Sequence, residues 1–219
     1  MKDYTTFIFD FDLTLVDSSK AILTCFYHTL SEFGCTIPDE KEIYDTIGLP
    51  LVDALKILSG KDSDADAEAM RTVYVKKADE IMAKQSIFYP GALEILHRLR
   101  VEGKKTAIVS SKMRYRIEET FLAHTDKILV DHIVVHGDVS APKPAPDGIL
   151  KAVEILGSAP GDILYIGDSY VDAAAAQNAG VDFAAVTTGS TDREEFQKYP
   201  HIMIASSLAE LFERNNCHG

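Results

Sequence analysis

Basic residues, cysteines and long apolar runs are all scarce in this 219-residue sequence. It has 22 Lys and Arg against 34 Asp and Glu, which gives a formal net charge of −12 at pH 7. Phosphate backbones and anionic lipids are repelled by such a surface, so we expect neither a nucleic acid nor a membrane as partner. The apolar runs are far shorter than the ~20 residues that cross a bilayer. A small anionic ligand stays possible, because a local cluster of cations can override the global charge.

The three cysteines do not form a recognisable metal or redox motif. Their spacing matches neither a zinc knuckle nor a CxxC pair. We expect Cys25 in a helix core, Cys35 in a loop and Cys217 in a frayed tail. The amino terminus has no basic region followed by an apolar stretch, so no signal peptide is expected. A reduced, cytoplasmic location fits these features.

Two carboxylates follow the first apolar segment of the chain. Residues 4–9 are rich in β-branched and aromatic side chains, which predicts a buried parallel strand. Asp10 and Asp12 come directly after it and, being two residues apart, would share one face of an extended chain. Buried carboxylates repel each other unless a cation lies between them. The pattern therefore predicts a metal-dependent site, with a solvated strand end as the alternative.

The order of predicted elements indicates an α/β fold. Residues 17–86 have helical periodicity, with helices predicted near residues 19–33, 39–46, 51–58 and 64–84. From Tyr89 onward, helices alternate with short strands near residues 106–109, 132–136, 162–166 and 183–186. This alternation is typical of a doubly wound, mostly parallel sheet. We predict a Rossmann-like core domain from residues 1–16 and 87–219, with residues 17–86 inserted as an all-helical cap domain.

Chemistry-bearing residues lie at the predicted strand ends, where ligands bind in such sheets. Besides Asp10 and Asp12, the candidates are Ser110, Lys143, Asp168 and Asp172. Each alone could be a helix cap or a solvated loop residue. Together they are hard to attribute to chance.

These residues resemble the four motifs of the haloacid dehalogenase-like superfamily of phosphohydrolases. The DxDxT motif is Asp10 to Thr14, followed in family order by Ser110, by Lys143 in Lys-Pro-x-Pro, and by Gly167 to Asp172 as GDSxxxD. The insert resembles the helical cap of the phosphoglycolate phosphatase-like branch. Leu13 stands where that branch most often has glycine. We expect it to change a contact at the cap hinge and not to abolish the chemistry.

The resemblance implies a phosphatase that uses Mg²⁺ and an aspartyl-phosphate intermediate. Asp10 would be the nucleophile, and Asp12 the general acid and then the general base. Mg²⁺ would be held by Asp10, Asp168 and the backbone carbonyl of Asp12. Asp172 would assist through water or by holding Lys143. The implied phosphate-binding groups are Ser110, Ser111, Lys143, Thr14 and the backbone near Phe11.

The resemblance also suggests where a substrate would be recognised. Gly48-Leu49-Pro50-Leu51 resembles the cap loop that faces the active site in this branch, and Lys112 is a further candidate contact. The other cations of the insert are expected mostly on solvated faces: Lys20, Lys56, Arg71, Lys76, Lys77 and Lys84. A closed cap favours small phosphorylated metabolites such as 2-phosphoglycolate, sugar phosphates or nucleotides. Residues 109–114 also resemble the branch's pyrophosphatases, which keeps pyrophosphate as a candidate. We expect a monomer or homodimer.

Other activities of the same fold fit the sequence less well. A dehalogenase would lack Asp12, a β-phosphoglucomutase-like enzyme usually has Glu where Gly167 stands, and a phosphonatase would have a cap lysine near Pro50. A catalytically inactive binding protein need not keep all of the motif residues. The mutase and binding-protein hypotheses stay open behind the phosphatase.

Overall fold

The computed structural model describes residues 2–216, with side chains described for residues 2–213. The predicted position of Cys217 lies outside these residues. The strands are β1 (Thr6–Phe9), β2 (Val16–Asp17), β3 (Ile87–Phe88), β4 (Lys105–Ser110), β5 (His132–Val135), β6 (Ile163–Gly167), β7 (Asp182–Val186) and β8 (Met203–Ala205). The helices are α1 (Ser19–Glu32), α2 (Glu40–Tyr44), α3 (Leu51–Ser59), α4 (Asp64–Gln85), α5 (Ala92–Val101), α6 (Arg114–His124), α7 (Asp147–Leu156), α8 (Tyr170–Ala179), α9 (Arg193–Phe196) and α10 (Leu208–Asn216).

Six of these strands form one parallel sheet in the order β5-β4-β1-β6-β7-β8. From β1 the chain builds outward through β4 and β5, then crosses to the other side of β1 and continues through β6, β7 and β8. The predicted doubly wound α/β class is confirmed. Because β1 lies where the winding changes direction, the carboxyl end of β1 borders the crevice in which such sheets bind ligands.

Residues of the central strands alternate between two apolar layers. In β1, Phe7 and Phe9 join the layer built with α5 and α10, while Ile8 joins the layer built with α7 and α8. In β6, Ile166 and Tyr165 divide in the same way. Side chains of a strand point alternately to its two faces, so covering both faces requires an apolar residue at every position. The uninterrupted apolar segments of the sequence follow from this.

Helices α1 to α4 pack around a third apolar cluster. Its largest fully buried members include Leu30, Ile43, Leu55 and Met70. The chain enters this insert through β2 and returns through β3, which pair as an antiparallel two-stranded ribbon. The sequence pattern did not predict this ribbon, because two-residue strands carry no readable periodicity. None of the helices in the described part of the chain combines the length and apolar character needed to cross a bilayer.

Candidate active site

Three buried carboxylates meet at the carboxyl edge of the sheet. Asp10 follows β1, Asp168 follows β6, and Asp172 lies in the first turn of α8. One carboxylate oxygen from each lies within 4.8 Å of the others. The Asp10 amide donates a 2.8 Å hydrogen bond to the Ile166 carbonyl, which ties the end of β1 to β6. We call these three residues the carboxylate cluster.

Lys143 is the cation of the carboxylate cluster. Its ammonium donates to Asp10 Oδ1 at 2.8 Å and to Asp172 Oδ1 at 2.6 Å, with its side chain 4% exposed. Burial alone would lower the pKa of Lys143, but the charges of Asp10 and Asp172 raise it well above its usual value. Of the two roles predicted for Asp172, the structure shows direct contact with Lys143.

The carboxylate cluster carries more negative charge than its lysine neutralises. Three carboxylates against one ammonium leave an excess of two negative charges when all are ionised. Burial raises the pKa of Asp10 to about 7 against the pull of the Lys143 ammonium, and Asp172 adds to the rise. Burial, then the charges of Asp172 and Asp10, raise the pKa of Asp168 well above its usual value. Buried oxygens with uncompensated charge fit a hard divalent cation such as Mg²⁺.

Hydroxyl groups hold the carboxylates in place. Thr14 donates to Asp168 at 2.7 Å, while Tyr165 and Ser169 both donate to Asp172. The single hydroxyl proton of Thr14 is thus directed at Asp168, and its predicted phosphate contact stays a prediction. Sequence reasoning did not assign Tyr165 and Ser169. A tyrosine inside a buried strand was the available signal, since a buried phenol needs a hydrogen-bond partner.

A close backbone approach also orients Asp168. A Cβ added to Gly189, in the loop after β7, would lie 2.0 Å from Asp168 Oδ2. Real side chains cannot come this near. Glycine at this position therefore allows the loop to pack against the carboxylate.

Asp12 lies beside the carboxylate cluster with partners of its own. Its Oδ1 accepts from Ser18 Oγ at 2.5 Å and from Lys112 Nζ at 2.7 Å. Among the described residues, its carboxylate is not part of the three-membered group. The prediction that Asp12 binds metal through its backbone carbonyl stays a prediction. Ser18 precedes α1 but forms no side-chain cap there, because its hydroxyl turns to Asp12.

The two serines after β4 face different neighbours. Ser110 is buried, and its hydroxyl accepts the Lys112 amide at 3.2 Å. Ser111 donates at 2.7 Å to the carbonyl of Gly48 in the insert. Ser111 therefore connects the sheet edge to the predicted cap loop in this conformation, and its phosphate-binding role stays a prediction.

A cavity of about 130 Å³ separates the strand ends from the insert. Asp10, Asp12, Ser110 and Lys112 line one side. The insert contributes mainly apolar side chains, among them Ile22, Phe26, Leu49, Leu51 and Met82. Four further polar residues line it: Thr46, Tyr74, Ser111 and Arg116. Sequence reasoning missed Arg116, which sits on α6 with no motif around it.

The predicted cap loop contributes to this cavity. The six insert cations that were expected on solvated faces do not. Gly48, Leu49 and Leu51 are lining residues, and Pro50 precedes α3 as its N-cap. Of the cations expected on solvated faces, Lys56, Arg71 and Lys77 pair with insert carboxylates. Among the described residues, none of the six predicted as solvated lines the cavity.

Comparison with known proteins agrees with this geometry. The sequence profile of the haloacid dehalogenase-like hydrolase family matches residues 7–186. The chain belongs to this family. A solved structure of a haloacid dehalogenase-like hydrolase from Bacteroides fragilis is 41% identical, with a TM-score of 0.91, over 95% of this chain and 99% of that one. Pyrophosphatase PpaX of Bacillus velezensis is 28% identical over 210 residues, 96% of this chain and 95% of its own. A Pseudomonas syringae hydrolase structure is 28% identical with a TM-score of 0.84, covering 97% of this chain and 98% of its own.

Leu13 departs from the glycine common in this branch of the family, and its backbone explains that preference. Its φ is +58°, in the left-handed region that costs a non-glycine residue roughly 1–2 kcal/mol. The Leu13 amide donates to the Val16 carbonyl at 2.7 Å, and its own carbonyl accepts from the Thr188 hydroxyl. The leucine side chain is 1% exposed, so burial offsets the backbone cost. The expected change at the hinge stays a prediction.

Proposed function

We propose that this family member is a Mg²⁺-dependent phosphatase that hydrolyses a small phosphate monoester of the 2-phosphoglycolate type. One observation carries the proposal. The Asp10 carboxylate is held by Lys143, lies against two further buried carboxylates, and lines a small cavity. Phosphate-monoester hydrolysis needs charge neutralisation and alignment above all, and this site offers both.

Asp10, Asp168 and the Asp12 backbone carbonyl would hold the Mg²⁺ ion, with Asp172 next to them. All of these groups offer oxygen donors, which Mg²⁺ prefers. When bound, the ion supplies positive charge against the carboxylates and the phosphoryl oxygens.

Asp10 would act as the nucleophile. Its carboxylate oxygen attacks phosphorus, the bond from phosphorus to the leaving oxygen breaks, and an aspartyl phosphate forms. Lys143, already 2.8 Å from Asp10, would bind a phosphoryl oxygen during this transfer. Ser110, which lines the same cavity, would bind another.

Asp12 is the group placed to move the protons. It lines the same cavity as Asp10. It gives a proton to the leaving alkoxide, then takes one from the water that attacks phosphorus. The bond between phosphorus and Asp10 breaks in that second step, and phosphate is released. Ser18 and Lys112 fix the orientation of the Asp12 carboxylate.

The insert would act as a cap that keeps bulk water from the aspartyl phosphate. Its loop already contacts the sheet edge through the bond from Ser111 to Gly48. A cavity of about 130 Å³ suits a small metabolite and not a phosphoprotein.

Inorganic pyrophosphate is the second candidate substrate. Several Bacillus relatives carry the name pyrophosphatase PpaX, with 27–29% identity over most of this chain. Pyrophosphate would also fit the proposed chemistry, with phosphate as the leaving group.

Phosphate release from a substrate panel tests the proposal. The panel contains 2-phosphoglycolate, pyrophosphate, hexose phosphates and nucleotides, each with Mg²⁺ and with EDTA, and Asp10→Asn protein as the blank. We expect strong release from one class, only with Mg²⁺, and one labelled water oxygen for each bond hydrolysed. For pyrophosphate this means one label for every two phosphates released. If folded protein with Mg²⁺ released no phosphate from any compound of the panel, this result would contradict the proposed phosphatase activity. It would favour the mutase or binding-protein hypotheses.

A further inference from the structure

Arg116 is a buried cation with an unsatisfied nitrogen. It reaches from α6 to the insert, where Nη2 donates to the Val75 carbonyl at 3.1 Å and pairs with Asp79. Nη1 is buried and has no hydrogen-bond partner among the described residues. The Glu119 carboxylate, 3.8 Å from Nη1, is too far for a hydrogen bond. Nη1 has almost no accessible surface, so it does not itself open into the cavity. Arg116 lines the cavity through the rest of its side chain and places a positive charge beside it.

Tyr74 and Lys112 line the same cavity as Arg116. The Tyr74 hydroxyl makes no hydrogen bond within the described residues, although its ring packs edge-on against Phe26. Burial, with the charges of Cys25 and Asp12, raises its pKa well above the usual value, so the hydroxyl keeps its proton at neutral pH. Lys112 uses one donor on Asp12, and an ammonium has three. We call Tyr74, Lys112 and Arg116 the donor wall.

The apolar side chains around the donor wall would strengthen its hydrogen bonds to a bound anion. Most other insert residues around the cavity are apolar, including Ile22, Phe26, Ala54 and Met82. An apolar environment strengthens hydrogen bonds to a bound anion, since little water competes. Lys112 also joins the donor wall to Asp12, the group proposed to protonate the leaving oxygen. An anion on the donor wall would thus belong to the leaving part of the substrate.

We propose that the donor wall binds a second anionic group, a carboxylate or a phosphate, on the leaving group of the substrate. The inference rests on the proposed function, which places the phosphoryl group at Asp10. It narrows the substrate class to phosphate esters or anhydrides whose leaving group carries its own negative charge. 2-Phosphoglycolate and pyrophosphate satisfy this condition, whereas hexose phosphates and simple alkyl phosphates do not.

Binding of non-hydrolysable analogues tests the proposal without turnover. Phosphonoacetate carries the second anion as a carboxylate, methylenediphosphonate carries it as a phosphonate, and propylphosphonate lacks it. Calorimetric titration of wild-type protein in excess Mg²⁺ should give at least one of the first two a roughly tenfold lower Kd than propylphosphonate, as for a hydrogen bond to a charged group. The tighter of the two identifies the class of the second anion.

Three variants separate binding from structure. Arg116→Gln should remove most of this preference, and Tyr74→Phe, which keeps the buried ring, should reduce it a few-fold. Asp79→Asn is the matched control. It removes the structural partner of Arg116 but keeps the guanidinium, so the preference should persist.

Several results would overturn the inference. The first is equal affinity of wild-type protein for all three compounds. The second is no measurable binding of phosphonoacetate and methylenediphosphonate, the two analogues with a second anionic group. The third is a preference that stays unchanged in both Arg116→Gln and Tyr74→Phe. Loss of the preference in Asp79→Asn as large as that in Arg116→Gln would assign Arg116 to structure alone. Because these titrations measure binding and need no hydrolysis, a negative result in them can be told apart from a negative result in the phosphate-release assay.

Discussion

The carboxylate cluster and the donor wall differ in how fully their polar groups are hydrogen-bonded. Around the cluster, Lys143 contacts Asp10 and Asp172, and Thr14 contacts Asp168, all at 2.6–2.8 Å. On the donor wall, Arg116 Nη1 has no hydrogen-bond partner among the described residues, and the nearest carboxylate, that of Glu119, lies 3.8 Å away. The first region is organised before any substrate arrives, which suits a step that depends on fixed electrostatics. The second keeps donors available, which suits recognition. Under the two proposals, the chemical step and the recognition of the leaving group depend mainly on different residues, and Lys112 contacts both regions through Asp12.

Replacing the proposed nucleophile should give the largest effect on the cluster side of this comparison. Asp10→Asn removes the attacking carboxylate but keeps its size, so kcat should fall by at least ~10³-fold while the fold persists. Phosphate release and circular dichroism measure the two effects. Turnover close to wild type would remove Asp10 from the role of nucleophile.

Removing the cation of the cluster should cost the most stability. Lys143→Met leaves two buried carboxylates without their partner, a change that costs about 3–5 kcal/mol. Lys198→Met is the matched control, because Lys198 pairs with Glu195 at the surface and such pairs contribute about 0–1 kcal/mol. Urea unfolding of both variants in EDTA gives the comparison. Equal losses would mean that the cluster is not held by Lys143.

The charge of the cluster should make stability depend on pH in metal-free protein. Burial raises the pKa of Asp10 from 3.8 to about 7, so between these values the folded state binds more protons than the unfolded state. Stability from this group therefore falls as the pH rises from about 4 to 7. Thermal unfolding in EDTA at pH 5 and pH 8 should show a larger drop for wild type than for Asp10→Asn. The same drop in both proteins would remove Asp10 as its source.

Displacing one carboxylate should weaken the metal site without removing a ligand. Gly189→Ala places a Cβ against Asp168 Oδ2, so this carboxylate must move. The Mg²⁺ concentration for half-maximal activity should rise about tenfold, the range seen when groups that orient metal ligands are changed. Gly137→Ala is the control, since a Cβ there meets nothing within 4 Å. An unchanged Mg²⁺ requirement in both would show that Asp168 does not hold the ion.

The contact between the sheet edge and the insert should give the smallest effect. Ser111→Ala removes a hydrogen bond to Gly48, about 1 kcal/mol, and should raise KM a few-fold with little change in kcat. Ser140→Ala, at an exposed loop position, should change neither constant. If turnover instead slowed by about two orders of magnitude or more, Ser111 would be assigned to the phosphoryl group, as the resemblance to the family implies.

The fold class could be predicted from sequence because its signals are local. Apolar segments such as residues 6–9, glycines that end helices, and polar residues directly after strands each depend on a few neighbouring residues. Parallel strands then bring their carboxyl ends to one edge. For that reason the sequence predicts that Asp10, Lys143, Asp168 and Asp172 lie at one edge, and their side chains meet there.

The partners of these residues were harder to predict because they lie far apart in the chain. Tyr165 meets Lys143 from 22 positions away, and Arg116 meets Asp79 from 37 positions away. Neither pair has a periodicity or a motif. The β2–β3 ribbon was missed for the same reason, since its two short strands are separated by the whole insert.

The sequence by itself determined the sheet, the helical insert and the identity of the acidic residues and the lysine at the strand ends. These features follow from side-chain periodicity and from residue types that a buried strand end does not otherwise tolerate. Only the tertiary structure decided which hydroxyl holds which carboxylate, that Ser111 turns to Gly48, and that Arg116 lines the cavity. Such contacts depend on the packing of α4 against α6 and on the approach of the Gly48 loop to Ser111, and these distances are not encoded in any one segment.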